Sequence, residues 1–265
     1  MDKFSEVKSS GGIVYMTAPN ISAVHGFTTR WGGVSTGIYE SLNLAQNSDD
    51  DRSCVTQNYE RLGRAMGFSA KDLVCTRQVH EAQVRIVTSA DSHAPFEKTP
   101  YEADGLVTNQ PGVPLIIFTA DCVPILLSDP DSGVISAVHS GWRGTAAGIA
   151  ANAVSAMTKL GAVPENIQAA IGPCISSCCF ETGPEVPAAL MKIMPQKAEM
   201  FIRPGYGDRT YVDLKGANRE ILMRAGLAFE NISLSGECTS CMCDKYWSHR
   251  KTKGRRGSQA SVIML

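Results

Sequence analysis

The chain has no surplus of charge: 25 Lys and Arg stand against 26 Asp and Glu, a formal net charge of −1 over 265 residues. So even a balance excludes bulk attraction to nucleic acid or to an anionic membrane, and any anionic ligand must be held by a local site. No apolar run approaches the ~20 residues that a membrane-spanning helix requires. The opening stretch, Met1-Asp-Lys-Phe-Ser-Glu-Val-Lys-Ser-Ser10, holds no apolar core of signal-peptide length, so a cytoplasmic protein is expected. Internal repeats, low-complexity tracts and Pro/Ser-rich linkers are also lacking, which leaves one compact domain over residues 1–265 as the expectation. In a chain read as cytoplasmic, the nine cysteines are free thiols rather than a disulfide framework. They are ligands, nucleophiles or simple core.

What is there is a succession of short elements. Residues 11–16 and 23–28 read as strands, followed by the turn Trp31-Gly-Gly33 and a polar loop through Asn47-Ser-Asp-Asp-Asp51. Val55, Tyr59, Leu62, Ala65 and Met66 recur at helical spacing, with Asp51 or Ser53 to cap the start and Gly67 to end it. Runs at 73–76, 83–88, 105–108, 115–119, 124–128 and 134–138 predict a sheet. The short turn Ser128-Asp-Pro-Asp-Ser-Gly133 makes the last pair an antiparallel hairpin, so the sheet is mixed or antiparallel. One helix is predicted over Thr145 to Leu160, a further strand over 167–171 and a last helix from Leu214 to Arg224.

Three residues stand out at the ends of these runs: His80, Cys122 and His139. Two imidazoles and a thiol are a donor set that a borderline-soft cation such as zinc accepts, and three protein ligands leave a fourth position open. Their separations, however, match no short metal motif, and cysteine and histidine at strand ends commonly serve packing and hydrogen bonding. After His139 comes Gly141-Trp-Arg-Gly144 and the predicted helix, whose N-terminal end, with Arg143, could receive an anion. An ordinary strand-to-helix turn explains the same residues.

Several segments together resemble one family. They are His25-Gly-Phe-Thr-Thr-Arg-Trp-Gly-Gly-Val-Ser35, Ser41-Leu-Asn-Leu44, Gln78-Val-His80, Ala103-Asp-Gly-Leu-Val-Thr108, Thr119-Ala-Asp-Cys-Val-Pro124, Ala137-Val-His-Ser-Gly-Trp-Arg-Gly-Thr-Ala-Ala-Gly148 and Ile171-Gly-Pro173. In this order they are similar to the bacterial YfiH-type purine nucleoside phosphorylases, long labelled laccase-domain or polyphenol oxidase proteins. The resemblance implies an α/β (α+β) fold, with mixed sheets flanked by helices in α-β-β-α layers, and a zinc held by His80, Cys122 and His139. It also implies phosphorolysis of adenosine, inosine and methylthioadenosine, and deamination of adenosine; the sequence leaves monomer or homodimer open. Metal-acidified water suits attack at purine C6, and phosphorolysis needs a phosphate site, for which Arg30 and Arg143 are the candidates. Asp121 could orient a ligand or move a proton, or only cap backbone N–H groups; Asn43 and Gln78 could hydrogen-bond ribose or base, or only brace their loops.

Two other enzyme readings stay open. A cysteine hydrolase acting on an amide, as in cell-wall precursor editing, would use Cys122 as nucleophile and His139 as base. Copper-dependent phenol oxidation follows the older label, but three such ligands cannot build a several-copper cluster. Departures from the family pattern fall at the loop Ala45 to Asp50, which lacks an expected glycine, at Tyr59 in place of an arginine, and at Cys174 in place of a small residue. The thiols of Cys238-Thr-Ser-Cys-Met-Cys243 and of Cys174, Cys178 and Cys179 are of a type that can share one ion, yet their spacing fits no established pattern. They are read as core or surface thiols. Trp247-Ser-His-Arg250 and Arg255-Arg256 add residue types that stack on bases and bind phosphate, but a tail strand with a solvated basic turn explains them as well.

Overall fold

The computed structural model describes residues 3–99 and 101–265; Met1 and Asp2, the start of the N-terminal stretch read above, and Pro100 lie outside the described residues. Two sheets lie face to face. The first is wholly antiparallel, in the order β1 (Ser5–Lys8), β2 (Val14–Thr17), β3 (Val24–Thr28), β14 (Gln259–Met264), β6 (Leu115–Thr119). The second runs β13 (Ile232–Leu234), β9 (Gln168–Ile171), β7 (Val123–Asp129), β8 (Val134–Ser140), β5 (Gly105–Thr108), β4 (Val84–Ile86). Its outer pairs β13·β9 and β4·β5 are parallel and the rest antiparallel, so it is mixed, as the short turn at 128–133 requires. A small sheet of β10 (Glu181–Thr182), β12 (Thr210–Val212) and β11 (Ile202–Pro204) stands apart.

Side-chain alternation assigns each layer. Along β7, Val123, Ile125 and Leu127 join one apolar cluster and Leu126 another; along β8, Val134 and Val138 part from Ile135 and Ala137 in the same way. The Leu126 side packs with Phe27, Leu115, Ile117 and Ile263 of the first sheet and forms the layer between the sheets. The Val123 side packs against α3 (Ile149–Lys159), α4 (Glu185–Ile193) and α5 (Leu214–Arg224), and the far face of the first sheet against α1 (Arg52–Met66), through Ile116, Ala260, Val262, Val55, Tyr59 and Leu62. These are the expected α-β-β-α layers.

Local chemistry explains the helix ends. Asp51 caps α1 by accepting from Ser53 N at 2.7 Å, and Gly67 closes it at φ 84, as predicted. The single helix predicted from Thr145 to Leu160 is instead two. A short α2 (Trp142–Ala146) is followed by Gly148 at φ 77, a left-handed break that starts α3. Residues 73–76, predicted as a strand, make only isolated bridges, Leu73 to His93 and Val74 to Leu115. The tail forms β14, a fully buried strand between β3 and β6, which carries Arg256, Gly257 and Ser258 to the ends of the layered sheets. No helix is long and apolar enough to cross a membrane among the described residues.

Candidate functional site

His139 is the next-to-last residue of β8, opposite Pro124, and shares its face with Ile135 and Ala137. It therefore points between the sheets, at the edge of that layer. Cys122 directly precedes β7. Asp121 before it adopts φ 86, a left-handed value that a residue with a Cβ holds only when its surroundings compel it. Here Asp121 Oδ1 accepts from Thr239 Oγ1 at 2.6 Å, and Oδ2 accepts from Ser248 Oγ at 3.1 Å and Arg250 N at 2.6 Å. His80 arrives on a loop, itself at φ 62. The two rings meet edge to face at 4.7 Å and 82°, and one donor atom from each of His80, Cys122 and His139 lies within 4.8 Å of the others.

The group that organises this cluster is Asp104, just before β5, a residue of the Ala103–Thr108 motif to which the sequence alone assigns no role. Its Oδ1 accepts from His139 Nδ1 at 2.7 Å and from His80 N at 3.0 Å, and Oδ2 from Val79 N and Glu81 N, each at 3.0 Å. The first of these bonds leaves His139 Nε2 as the donor atom facing the cluster. The other three fix the left-handed loop that presents His80. Burial works against the Asp104 charge, yet the His139 hydrogen bond and the Glu81 and Val79 N–H groups outweigh it and hold its pKa below the usual value. Its only sequence signal was a carboxylate at a strand start within a quoted motif.

Electrostatics within the trio run strongly one way. Burial opposes a thiolate at Cys122, but the charge of His139 and hydrogen bonds from His139 and His80 bring it down to about 6. Burial likewise opposes protonation of His139, while Cys122 and Asp104 raise it to about 9. A thiolate held beside two imidazoles, one pinned by a carboxylate, is a donor set suited to a cation. Gly141 completes the fit: a Cβ there would sit 2.8 Å from His80 Nδ1 and 3.4 Å from Cys122 Sγ. Since Gly141 has φ −66, alanine would carry no backbone strain, only that crowding. Gly141→Ala is therefore expected to keep the thermal midpoint while weakening metal binding about tenfold, as measured by competition with a chromogenic chelator. Unchanged affinity would show that the cradle is not needed.

Two cavities of about 350 Å³ each open on the cluster and share His80, Ala120, Cys122 and Arg256. One is also lined by Gln78, Thr119 and Ser258, the other by Trp142, Ile175, Phe180 and Leu214. Gln78 lies beside the trio, but its amide is engaged with Phe118, donating to its carbonyl at 2.8 Å and accepting from its N–H at 2.7 Å. Asp121 borders the second cavity with its carboxylate taken up as described. Three other predicted residues lie elsewhere. Arg30 stacks on Trp247 at 3.9 Å and donates to the carbonyls of Cys243 and Glu40. Asn43 is fully buried, donating to Ser48 and Asp50 and accepting from Ala45 N and Ser258 N. Arg143 is exposed over its neighbour Trp142.

Arg256, for which the sequence left both a phosphate-binding role and a solvated turn open, is the arginine that lines both cavities. Nη1 donates to Gly257 O at 3.1 Å and Ser258 Oγ at 2.7 Å, while Nε is buried with no partner among the described residues. Burial lowers its pKa against the pull of Cys122 and Asp121. A half-buried guanidinium with a buried, unused donor calls for an acceptor.

A family profile described as "Multi-copper polyphenol oxidoreductase laccase" matches residues 24–265. The chain belongs to this laccase-domain family. It is 43% identical over 254 residues to a protein of Deinococcus radiodurans named purine nucleoside phosphorylase, covering 96% of this chain and 94% of that one. It is 33% identical over 238 residues to adenosine deaminase RL5 of an unknown prokaryotic organism, covering 88% and 91%. The crystal structure of YlmD from Geobacillus stearothermophilus superposes with a TM-score of 0.93 at 36% identity, over 100% of this chain and 99% of that chain. The laccase-domain membership and the fold expected from the sequence are thereby borne out.

Proposed function

We propose that this laccase-domain protein is a zinc-dependent purine nucleoside phosphorylase that acts on adenosine, inosine and methylthioadenosine and also deaminates adenosine. The observation that carries the proposal is the His80, Cys122 and His139 cluster between two cavities that share a half-buried arginine whose buried Nε has no partner among the described residues. Relatives named for phosphorolysis and for deamination of nucleosides support the reaction class. The three side chains would hold the cation, which when bound supplies Lewis-acid charge where the cavities meet.

The chain's own residues then divide the substrates by chemistry. Arg256 offers a desolvated positive charge and a free N–H donor to phosphate, a dianion that such a fork holds in a fixed orientation. Trp142, Ile175 and Phe180 offer flat apolar surface to a purine ring. Asp121 holds the Cys122 turn rather than a substrate, since both of its oxygens are already engaged. The test is direct. Purified protein of known metal content, given adenosine and phosphate, is expected to release adenine with ribose 1-phosphate, and inosine without phosphate; finding none of these products would sink the proposal.

A second reading has its own observation. Cys122, His139 and Asp104 stand in the order of a cysteine-hydrolase triad, with the thiol brought down to about 6 and the imidazole raised to about 9. It requires no metal. Covalent labelling of Cys122 by an acylating substrate at full activity in chelator would favour it; loss of activity in chelator restored by zinc would reject it.

A further inference from the structure

Far apart in sequence, Cys178 and Cys179 on one loop and Cys238 and Cys241 on another bring their sulfurs together. Cys241 Sγ lies 3.6 Å from Cys178 Sγ and 3.4 Å from Cys179 Sγ, Cys178 and Cys179 are 3.7 Å apart, and all four sulfurs lie within 4.8 Å of one another. None is bonded to another. We propose that these four cysteines form a second, closed metal site that holds one zinc ion in tetrahedral thiolate coordination and clamps the two loops together.

The distances fit a single ion. Four thiolates around one zinc at a Zn–S distance of about 2.3 Å sit roughly 3.8 Å apart along the edges of the tetrahedron. A multi-iron cluster spreads its cysteine ligands more widely, and a disulfide draws two of them to about 2 Å. Without an ion the arrangement has no evident cause. Thiols are weak donors and weak acceptors, so four of them gain little by mutual contact, and Cys178 and Cys241 are exposed and so not drawn together by burial. Cys174 is distinct from the set: it is a buried thiol that donates to Ile175 O, and burial raises it to about 12.

The backbone is built to receive thiolates. Ser176 N donates to Cys238 Sγ at 3.3 Å, a backbone N–H aimed at the sulfur. The C-x-x-C spacing from Cys238 to Cys241 sits on a turn closed by Met242 N donating to Cys238 O at 2.9 Å. Such spacing delivers two ligands from one turn. Arg203 and Arg250 donate to the carbonyls of Ser177 and Cys179 at 2.9 and 3.0 Å and place positive charge beside the cluster.

The clamp sits where it supports the candidate active site. Thr239 N donates to Cys174 O, joining the two loops, and Thr239 Oγ1 holds Asp121 Oδ1 beside Cys122. Ile175 N from the other loop donates to Asp121 O. Both clamped loops therefore meet on the strained turn that presents Cys122.

The experiment is a metal count on full-length protein purified under reducing conditions after growth with zinc. Wild type is expected to carry two equivalents per chain, Cys122→Ala one, and Cys178→Ser/Cys241→Ser one. Cobalt replacing zinc in Cys122→Ala is expected to show the intense thiolate-to-cobalt charge transfer of an all-sulfur site. That arm leaves the four cysteines intact, so it decides the matter even if the double variant does not fold. An all-sulfur spectrum in Cys122→Ala supports the second site whether or not nucleoside turnover is found. A wild type in which Cys122→Ala removes all metal, with the four thiols free to react or joined as disulfides, would overturn it.

Discussion

Cys122→Ala is expected to abolish nucleoside phosphorolysis, with kcat/KM falling roughly a thousandfold or more, the equivalent of about 4 kcal/mol of lost charge stabilisation. The variant takes away the one anionic donor of the trio. What remains is two imidazoles, of which His139 loses the thiolate that raised its pKa and becomes an easier proton to shed. A two-nitrogen site with a wider gap binds a cation far less tightly than the closed trio. The fold should stand, because Cys122 is half-buried at the start of β7 and the strand itself is held by its register with β8 and β9. The check is therefore threefold: turnover with adenosine and phosphate, metal per chain, and the thermal midpoint. A variant that keeps the wild-type metal content but loses activity would move the weight to the cysteine-hydrolase reading, in which the thiol attacks. One that loses one equivalent of metal together with its activity supports the ligand role.

Much of this architecture could be read from residues whose causes are local. The ends of α1 followed from Asp51 and Gly67, and the β7·β8 hairpin from a short polar turn rich in Asp, Ser and Gly, because caps and turns are decided within a few residues. Gly148 was harder to read. A glycine among alanines at helical spacing is compatible with a continuous helix, and only its packing against Ile193 of α4, which crowds the position, accompanies the break seen there. His80, Cys122 and His139 carried their chemistry in their side chains and could be singled out one by one, but their closeness is a product of topology. Asp104, Arg256 and the four clustered cysteines were less legible for the same reason. A carboxylate becomes an organiser only when a loop folds its N–H groups onto it, and a tail arginine enters a cavity only because β14 is drawn between β3 and β6. Arg30 and Arg143 show the converse: arginines near promising motifs were drawn to aromatic faces and carbonyls instead.

Asp104→Asn is the substitution that should separate organisation from ligation. It preserves size and touches no cavity, yet its effect follows from the four donors that converge on the carboxylate. An amide has one oxygen and one NH₂, so whichever way it is placed the NH₂ confronts two donors. With the oxygen toward His139 and His80 N, the NH₂ meets Val79 N–H and Glu81 N–H, and the loop that holds His80 at φ 62 must move. With the oxygen toward Val79 and Glu81, the NH₂ faces His139 Nδ1, which must then accept and leaves the proton on Nε2, the atom that faces the cluster. Either placement disables one imidazole donor. Metal affinity is expected to fall by about 10- to 100-fold, and stability by roughly 3 kcal/mol through the broken buried network. Chelator competition and thermal unfolding measure the two separately. A wild-type affinity together with a wild-type midpoint would show that His139 and the His80 loop are held by other means, since neither orientation of the amide can serve all four donors.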